Sequence, residues 1–160
     1  MTLNYTTPQL MDHSRRSPTL AKMVHEELAG LESRLSGVEG STVYIPEDSK
    51  ADDTFERAIF KAPSDCVVTA VIVVPDSDIG QATNYMTLDV QDKGADGTGT
   101  TSLGLLAVNS TNTIDGMVGE DLVTTNKSVS AGRVLSLKKT VAESGQAWPG
   151  GFVKVIYTPA

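Results

Sequence analysis

Aromatic residues make up only 5% of this 160-residue chain, and Trp148 is the single tryptophan among them. Stacking platforms for single-stranded nucleic acid or sugar rings need several rings interleaved with cations, so both are thinly provided for. Cysteine occurs once, at Cys66, which excludes an internal disulfide and a cysteine zinc site. Beside Val67 and Val68 it reads as a small core residue. Only two histidines are present, His13 and His25, both ahead of the strand-rich part of the chain, which leaves a buried catalytic pair without material. Asp12-His13-Ser14 has the letters of a catalytic triad, but adjacent residues cannot take up the base-to-nucleophile and base-to-orienter geometry that the mechanism needs. The arm that holds them reads as polar and mobile.

Basic residues are also scarce. Thirteen Lys and Arg stand against twenty Asp and Glu, a formal charge of -7 and a sequence pI near 4.7. That balance opposes a polyanion as the main partner and disfavours nucleic acid. The longest apolar run, Val67 to Val74, is broken by Thr69 and stopped by Pro75. It falls far short of the roughly 20 residues that cross a bilayer, so no membrane partner is expected. The opening residues MTLNYTTPQLMDHSRR have neither the apolar core nor the small-residue cleavage site of a secretory signal, and the product is expected to stay where it is made.

What remains fits one ordinary globular domain, with 39% hydrophobic and 21% charged residues. At this length a fold removes roughly 70% of the unfolded surface from water, enough for one core and too little for two. Residues 1–17 form an N-terminal arm. Ser17-Pro18 then has the N-cap and N1 residues of a helix start. Leu20, Val24, Leu28, Leu31, Leu35 and Val38 follow at three- and four-residue spacing, and Gly37 supplies the stop. An amphipathic helix is expected over 18–37. As heptads, Val24, Leu28, Leu31 and Leu35 fall on consecutive a and d positions and form a candidate oligomer interface. The same stripe serves equally for docking on its own domain. Gly30 costs about 1 kcal/mol relative to alanine inside a helix, so the short seam would hardly be stable alone.

Residues 38–54 read as a linker or wandering strand, with Val43 to Ile45 the only apolar patch before Pro46. From 55 to 160 the spacing becomes strand-like. Expected strands are Ala58 to Lys61, Asp65 to Val74, Tyr85 to Val90, Ser102 to Val108, Val123 to Val129, Val134 to Lys138 and Phe152 to Tyr157. The Asp65 to Val74 strand is apolar on both faces and is expected inside the fold. Residues 110–122 read as an elaborated loop, too rich in Thr, Asn and Gly for a helix. The fold class is therefore mainly β, an antiparallel β-sandwich or jelly roll preceded by an N-terminal α-helix.

Motif chemistry is sparse. The stretch Gln91 to Thr100 is glycine-rich but lacks the Lys-Ser/Thr ending of a phosphate loop and leads into a strand. Asp89, Asp92 and Asp96 supply hard oxygens without calcium-loop spacing or its closing Glu. Glu47, Asp48, Asp52 and Asp53 cluster near a turn and read as a solvated surface. Trp148 beside Pro149 is either an exposed anchor or the cap of one end of a core. No catalytic, cofactor or metal residue is assigned.

The phrases Thr83-Asn84-Tyr85, Lys93-Gly94-Ala95-Asp96-Gly97-Thr98-Gly99, Val129-Ser130-Ala131-Gly132-Arg133-Val134-Leu135 and Pro149-Gly150-Gly151 before a Val-Lys-Val-Ile-Tyr strand, in the order helix, linker, β body, resemble tailed-bacteriophage head-decoration (cement) or head-fibre proteins. The resemblance covers 54–160 best. It implies a non-enzymatic virion protein on the capsid surface, made in the host cytoplasm and needing no cofactor. It further implies a homotrimer whose partner is the major capsid protein. The arm, with Tyr5, Leu10, Met11, Arg15 and Arg16, is a candidate capsid-contact segment, and equally a frayed terminus. A second reading is a carbohydrate-binding head-fibre or adhesin module using loop 92–100 and Trp148. An enzyme comes last, because a hydrolase needs two carboxylates facing across a cleft. If the seam holds the oligomer, Leu28→Asp or Leu31→Asp lowers the mass seen by light scattering to that of the monomer; an unchanged mass removes the helix from the interface.

Overall fold

The computed structural model describes residues 37–80, 85–142 and 145–160. The chain divides into two compact units, Met1–Gly37 and Val38–Ala160, and the description below concerns the second. The expected helix over 18–37, the arm 1–17 and the candidate residues Val24, Leu28, Leu31, Leu35, Tyr5, Leu10, Met11, Arg15 and Arg16 lie outside the described residues.

Two-residue alternation sets the architecture, because successive side chains on a strand point to opposite faces. Among the described residues nine strands form: β1 (Glu39–Ile45), β2 (Phe55–Lys61), β3 (Cys66–Pro75), β4 (Tyr85–Asp92), β5 (Thr101–Val108), β6 (Glu120–Asp121), β7 (Lys127–Val129), β8 (Val134–Ala142) and β9 (Gly151–Pro159). They make two antiparallel sheets. The first runs β1-β9-β3-β6, with β7 also pairing β3; the second runs β2-β8-β4-β5. The described residues are thus mainly β.

Both sheets feed one apolar core. Val153, Val155 and Tyr157 of β9 and Val68, Val71 and Val73 of β3 belong to it from the first sheet. Met86, Leu88 and Val90 of β4 and Leu135 and Leu137 of β8 belong to it from the second. The Val68-to-Val71 spacing of three residues breaks strict alternation. It is restored by a register shift between Val68 and Ala70 that leaves Thr69 as the extra residue. The Thr69 hydroxyl donates to the Ile156 carbonyl at 3.2 Å, so the added polar group stays bonded inside the sheet.

The structure refines four of these expectations. Of residues 38–54, expected as a linker or wandering strand, 39–45 are a strand: β1 pairs with β9 over its whole length, Glu39 opposite Tyr157 through Ile45 opposite Gly151, and Ile45 is buried. Strand Val123 to Val129 shortens to β7 at Lys127–Val129, because the Asp121 carboxylate takes the amide protons of Val71 and Val123, both at 2.9 Å, and turns the chain after β6. The loop 110–122 is tied down by a bridge between Ile79 and Ile114, and both of those side chains are buried. β3, expected to be buried on both faces, keeps Val67, Ala70, Ile72 and Val74 only half-buried.

The packing predicts a graded response on the two sides of the sheets. Leu137→Ala, at a fully buried position, is expected to cost about 2–5 kcal/mol in urea unfolding. Ile72→Ala, on the half-buried outer side of β3, is expected to cost about 1 kcal/mol.

Candidate functional site

The outward sides of the two sheets differ in chemistry. On the second sheet, register aligns Glu56 with Lys138 and Lys138 with Asp89, and Ala58 with Ser136 and Ser136 with Gln91. Glu56 accepts from Lys93 Nζ and from the Ser136 hydroxyl, each at 2.8 Å, and these two donors hold its carboxyl below the usual carboxylate range. Asp89 accepts from Ser102 Oγ at 2.5 Å and from Gln91 Nε2 at 2.6 Å. Alternating charges on neighbouring strands suit a face turned to water.

The first sheet turns outward a different set. Rows read off the register are Tyr44, Phe152 and Val74, then Thr42, Lys154 and Ile72, then Gly40, Ile156 and Ala70. Among the described residues, Lys154 is the only cation in these rows. Tyr44 and Phe152 are each 48% exposed and meet edge-on, ring centres 5.1 Å apart at 63°. The Tyr44 hydroxyl donates to Asp76 Oδ2 at 2.9 Å, and that bond raises its pKa above the usual tyrosine value. Gly150 lies beneath this pair: a Cβ there would meet the Tyr44 oxygen at 2.7 Å and the Asp76 oxygen at 2.8 Å, with a φ of +87°. The positive φ favours glycine, and a side chain there would push the Tyr44 hydroxyl and the Asp76 carboxylate aside.

Beyond Val74 the same end of the sheet continues into the turn 115–119. Met117 N donates to the Pro75 carbonyl at 2.9 Å and Gly116 N to Asp78 Oδ1 at 2.7 Å. A Cβ on Gly119 would touch a Val74 methyl at 2.7 Å, which places the turn directly against β3. Met117 and Val118 are both 72% exposed. Tyr44, Phe152, Val74, Met117 and Val118 therefore form one apolar band across the end of the sheet, and exposed apolar groups gathered in this way mark interaction surfaces.

A buried ion pair braces this end. Lys139, aligned with Phe55 and Leu88 on the core side of β8, has a fully buried side chain and a 2.5 Å contact from Nζ to Asp48 Oδ2. Its Nζ also donates to the Asp53 carbonyl at 2.8 Å. Asp48 N donates to the Trp148 carbonyl at 2.9 Å, Trp148 N donates to Asp48 Oδ2 at 3.3 Å, and Trp148 Nε1 donates to the Ile45 carbonyl at 3.2 Å. The ammonium thus fixes the loop after β1 and the segment before β9.

The residues singled out in the sequence have structural duties. Trp148 is fully buried and caps the core rather than standing exposed. Of the acidic cluster, Asp48 is the partner of Lys139. Asp53 accepts from the Ser49 hydroxyl and the Lys50 amide, and the Ser49 bond foremost holds its carboxyl below the usual range. Both oxygens of Asp92 accept from Arg133 Nε, at 3.0 and 2.8 Å, and one also accepts from Gly94 N at 2.9 Å. Asp96 caps its own turn through the Thr98 amide and hydroxyl, at 3.1 and 2.9 Å. Cys66 is free and buried, and burial raises its thiol pKa. Among the described residues, no three His, Cys, Asp or Glu side chains are grouped to hold a metal ion. The outer band escaped sequence reasoning, although the alternation of Val67, Ile72 and Val74 with the core valines of β3 carried its signal.

Comparison with protein families, with curated proteins and with solved structures gives no significant match. Removing one member of the buried pair is expected to be costly, while replacing both is not. Lys139→Ala is expected to destabilise by about 3–5 kcal/mol in chemical unfolding, and Lys139→Met with Asp48→Leu to recover much of that loss. Equal loss in the single and double variants contradicts the account of the pair.

Proposed function

We propose that this chain is a non-enzymatic structural protein that works by its surface in a symmetric assembly, decorating and stabilising the exterior of a tailed-phage capsid as a homotrimer. The observation that carries the reading is the contrast between the two outward faces. One bears alternating charges around a single exposed leucine, Leu105, while the other bears an apolar band of several side chains with Lys154 as the one cation among the described residues. A contiguous apolar surface is costly to leave in water and is stabilised when a partner covers it.

The strand orders support the architecture that goes with this role. Since β6 and β7 both pair with β3, they occupy one position between them. The remaining order, first-eighth-third-sixth in one sheet and second-seventh-fourth-fifth in the other, is that of a sandwich of the jelly-roll type, which recurs in viral capsid proteins and lectins. Fold alone does not assign a role, and the choice between those two classes rests on side chains. A sugar-binding module stacks rings on exposed aromatics; Trp148 is buried, and the half-exposed Tyr44 and Phe152 pack edge-on against each other instead of offering one flat platform. Assembly on a lattice asks less of any single contact, because copies joined to one another bind with avidity.

In this reading the partners are the chain itself and the major capsid protein, and the location is the virion surface. Val24, Leu28, Leu31 and Leu35 are proposed for the oligomer interface, and Tyr5, Leu10, Met11, Arg15 and Arg16 for the capsid-contact arm. Electron microscopy of virions with and without the chain is expected to differ by discrete external density at symmetric positions, each holding three copies. Identical capsids in the two preparations overturn the proposal.

A further inference from the structure

We infer that the band formed by Tyr44, Phe152, Val74, Met117 and Val118 is a docking surface for a protein segment that combines apolar side chains with lysine or arginine. The inference rests on the proposed role in assembly and names the surface and the chemistry of what it meets.

The turn that ends the band is built to hold apolar groups in water. Met117 is the one described non-glycine residue with positive φ, at 64°. That region disfavours side chains, and a residue held there signals a conformation imposed by its surroundings. The means are visible: the amides of Gly116 and Met117 are bonded to Asp78 and to Pro75, and those of Val118 and Gly119 to the Asp115 carbonyl at 3.3 and 3.2 Å. Four successive donors are thereby satisfied, and the two large side chains that the turn displays touch solvent. Folding alone gives no reason to keep a methionine where glycine would relax the backbone.

Charge chooses the occupant. Asp76 and Asp78 follow β3, Asp115 opens the turn, Glu120 begins β6, and Glu47 lies close enough to raise the Tyr44 pKa further. Against these five carboxylates, of which Glu120 sits at the sheet's edge opposite the core residue Val73, the described residues of the face offer only Lys154, one row away. Residues 38–160 carry nine Lys and Arg and sixteen Asp and Glu, so the wider field has the same sign. An anionic membrane or nucleic acid is repelled, and a second copy laid band to band brings five more acids against the first five. Apolar contact with a basic rim satisfies both features.

The test uses the full chain and two probes. The first is a synthetic extended peptide alternating leucine and lysine, with a leucine–glutamate peptide as control; the second is expanded empty capsids lacking the chain. Met117→Gly with Val118→Ser removes the displayed side chains while relieving the strained backbone. The variant is expected to unfold at the same or higher denaturant concentration, yet to bind the lysine peptide at least about tenfold more weakly than the parent chain. Tyr44→Ala is expected to weaken it likewise, and the glutamate peptide is not bound. Failure of the lysine peptide to bind the parent chain, or equal binding by parent and variant, overturns the inference. So does a change in oligomer mass in the variant without any peptide binding, since the band is then a contact between copies. Peptide binding without capsid binding keeps the docking surface and removes the capsid role. Capsid binding that the variant retains in full does the reverse.

Discussion

An ammonium group inside an apolar core must be paired, and Lys139 makes that demand at the centre of this fold. Its side chain is fully buried between Phe55 and Leu88 on neighbouring strands. Its two partners, Asp48 and the Asp53 carbonyl, both come from the loop that joins the first sheet to the second. The cost of leaving such a charge alone exceeds that of ordering the loop. The loop therefore closes over the core, draws Trp148 into place through Asp48, and sets the entry into β9. Tyr44, Gly150 and Phe152 inherit their positions from this arrangement. The exposed band thus stands on a buried electrostatic constraint several residues away in the chain.

Rigidity at that end has a functional consequence. A surface that binds with prearranged side chains loses less freedom on association than one that must be ordered at the moment of contact. The Tyr44 bond to Asp76, the close approach of Gly150 and the bonded turn 115–119 each remove freedom before any partner arrives. The opposite face spends its polar groups on one another. Glu56, Lys93, Ser136, Asp89, Gln91 and Ser102 are joined to one another in two groups, and Leu105, opposite Asp89, is the one large exposed apolar side chain among the described residues of that face.

Strand positions were readable because alternation and turn glycines are local signals. The seven expected strands each overlap observed ones. What depended on distant partners was not readable. Glu39 to Ile45 has one short apolar patch among polar residues and becomes a strand because β9 offers it an edge. Val123 to Val129 has strand composition, yet Asp121 bonds two amides and breaks it. Lys139 lies just beyond the expected strand Val134 to Lys138, although the alternation of Leu135 and Leu137 points its side chain inward, where Asp48 and the Asp53 carbonyl make it tolerable. The outer band was invisible for the same reason: its residues come from β1, β3, β9 and the turn before β6, and no linear window contains them.

The account's central claim is that the outward face of the first sheet, and not the charged face of the second, meets the partner. Hydrogen–deuterium exchange of the full chain, free and bound to expanded capsids, tests it most directly. Added protection over residues 72–76, 115–119 and 150–154 is the predicted result. Protection confined to β5 and the loop 93–100, with the first sheet unchanged, would contradict it.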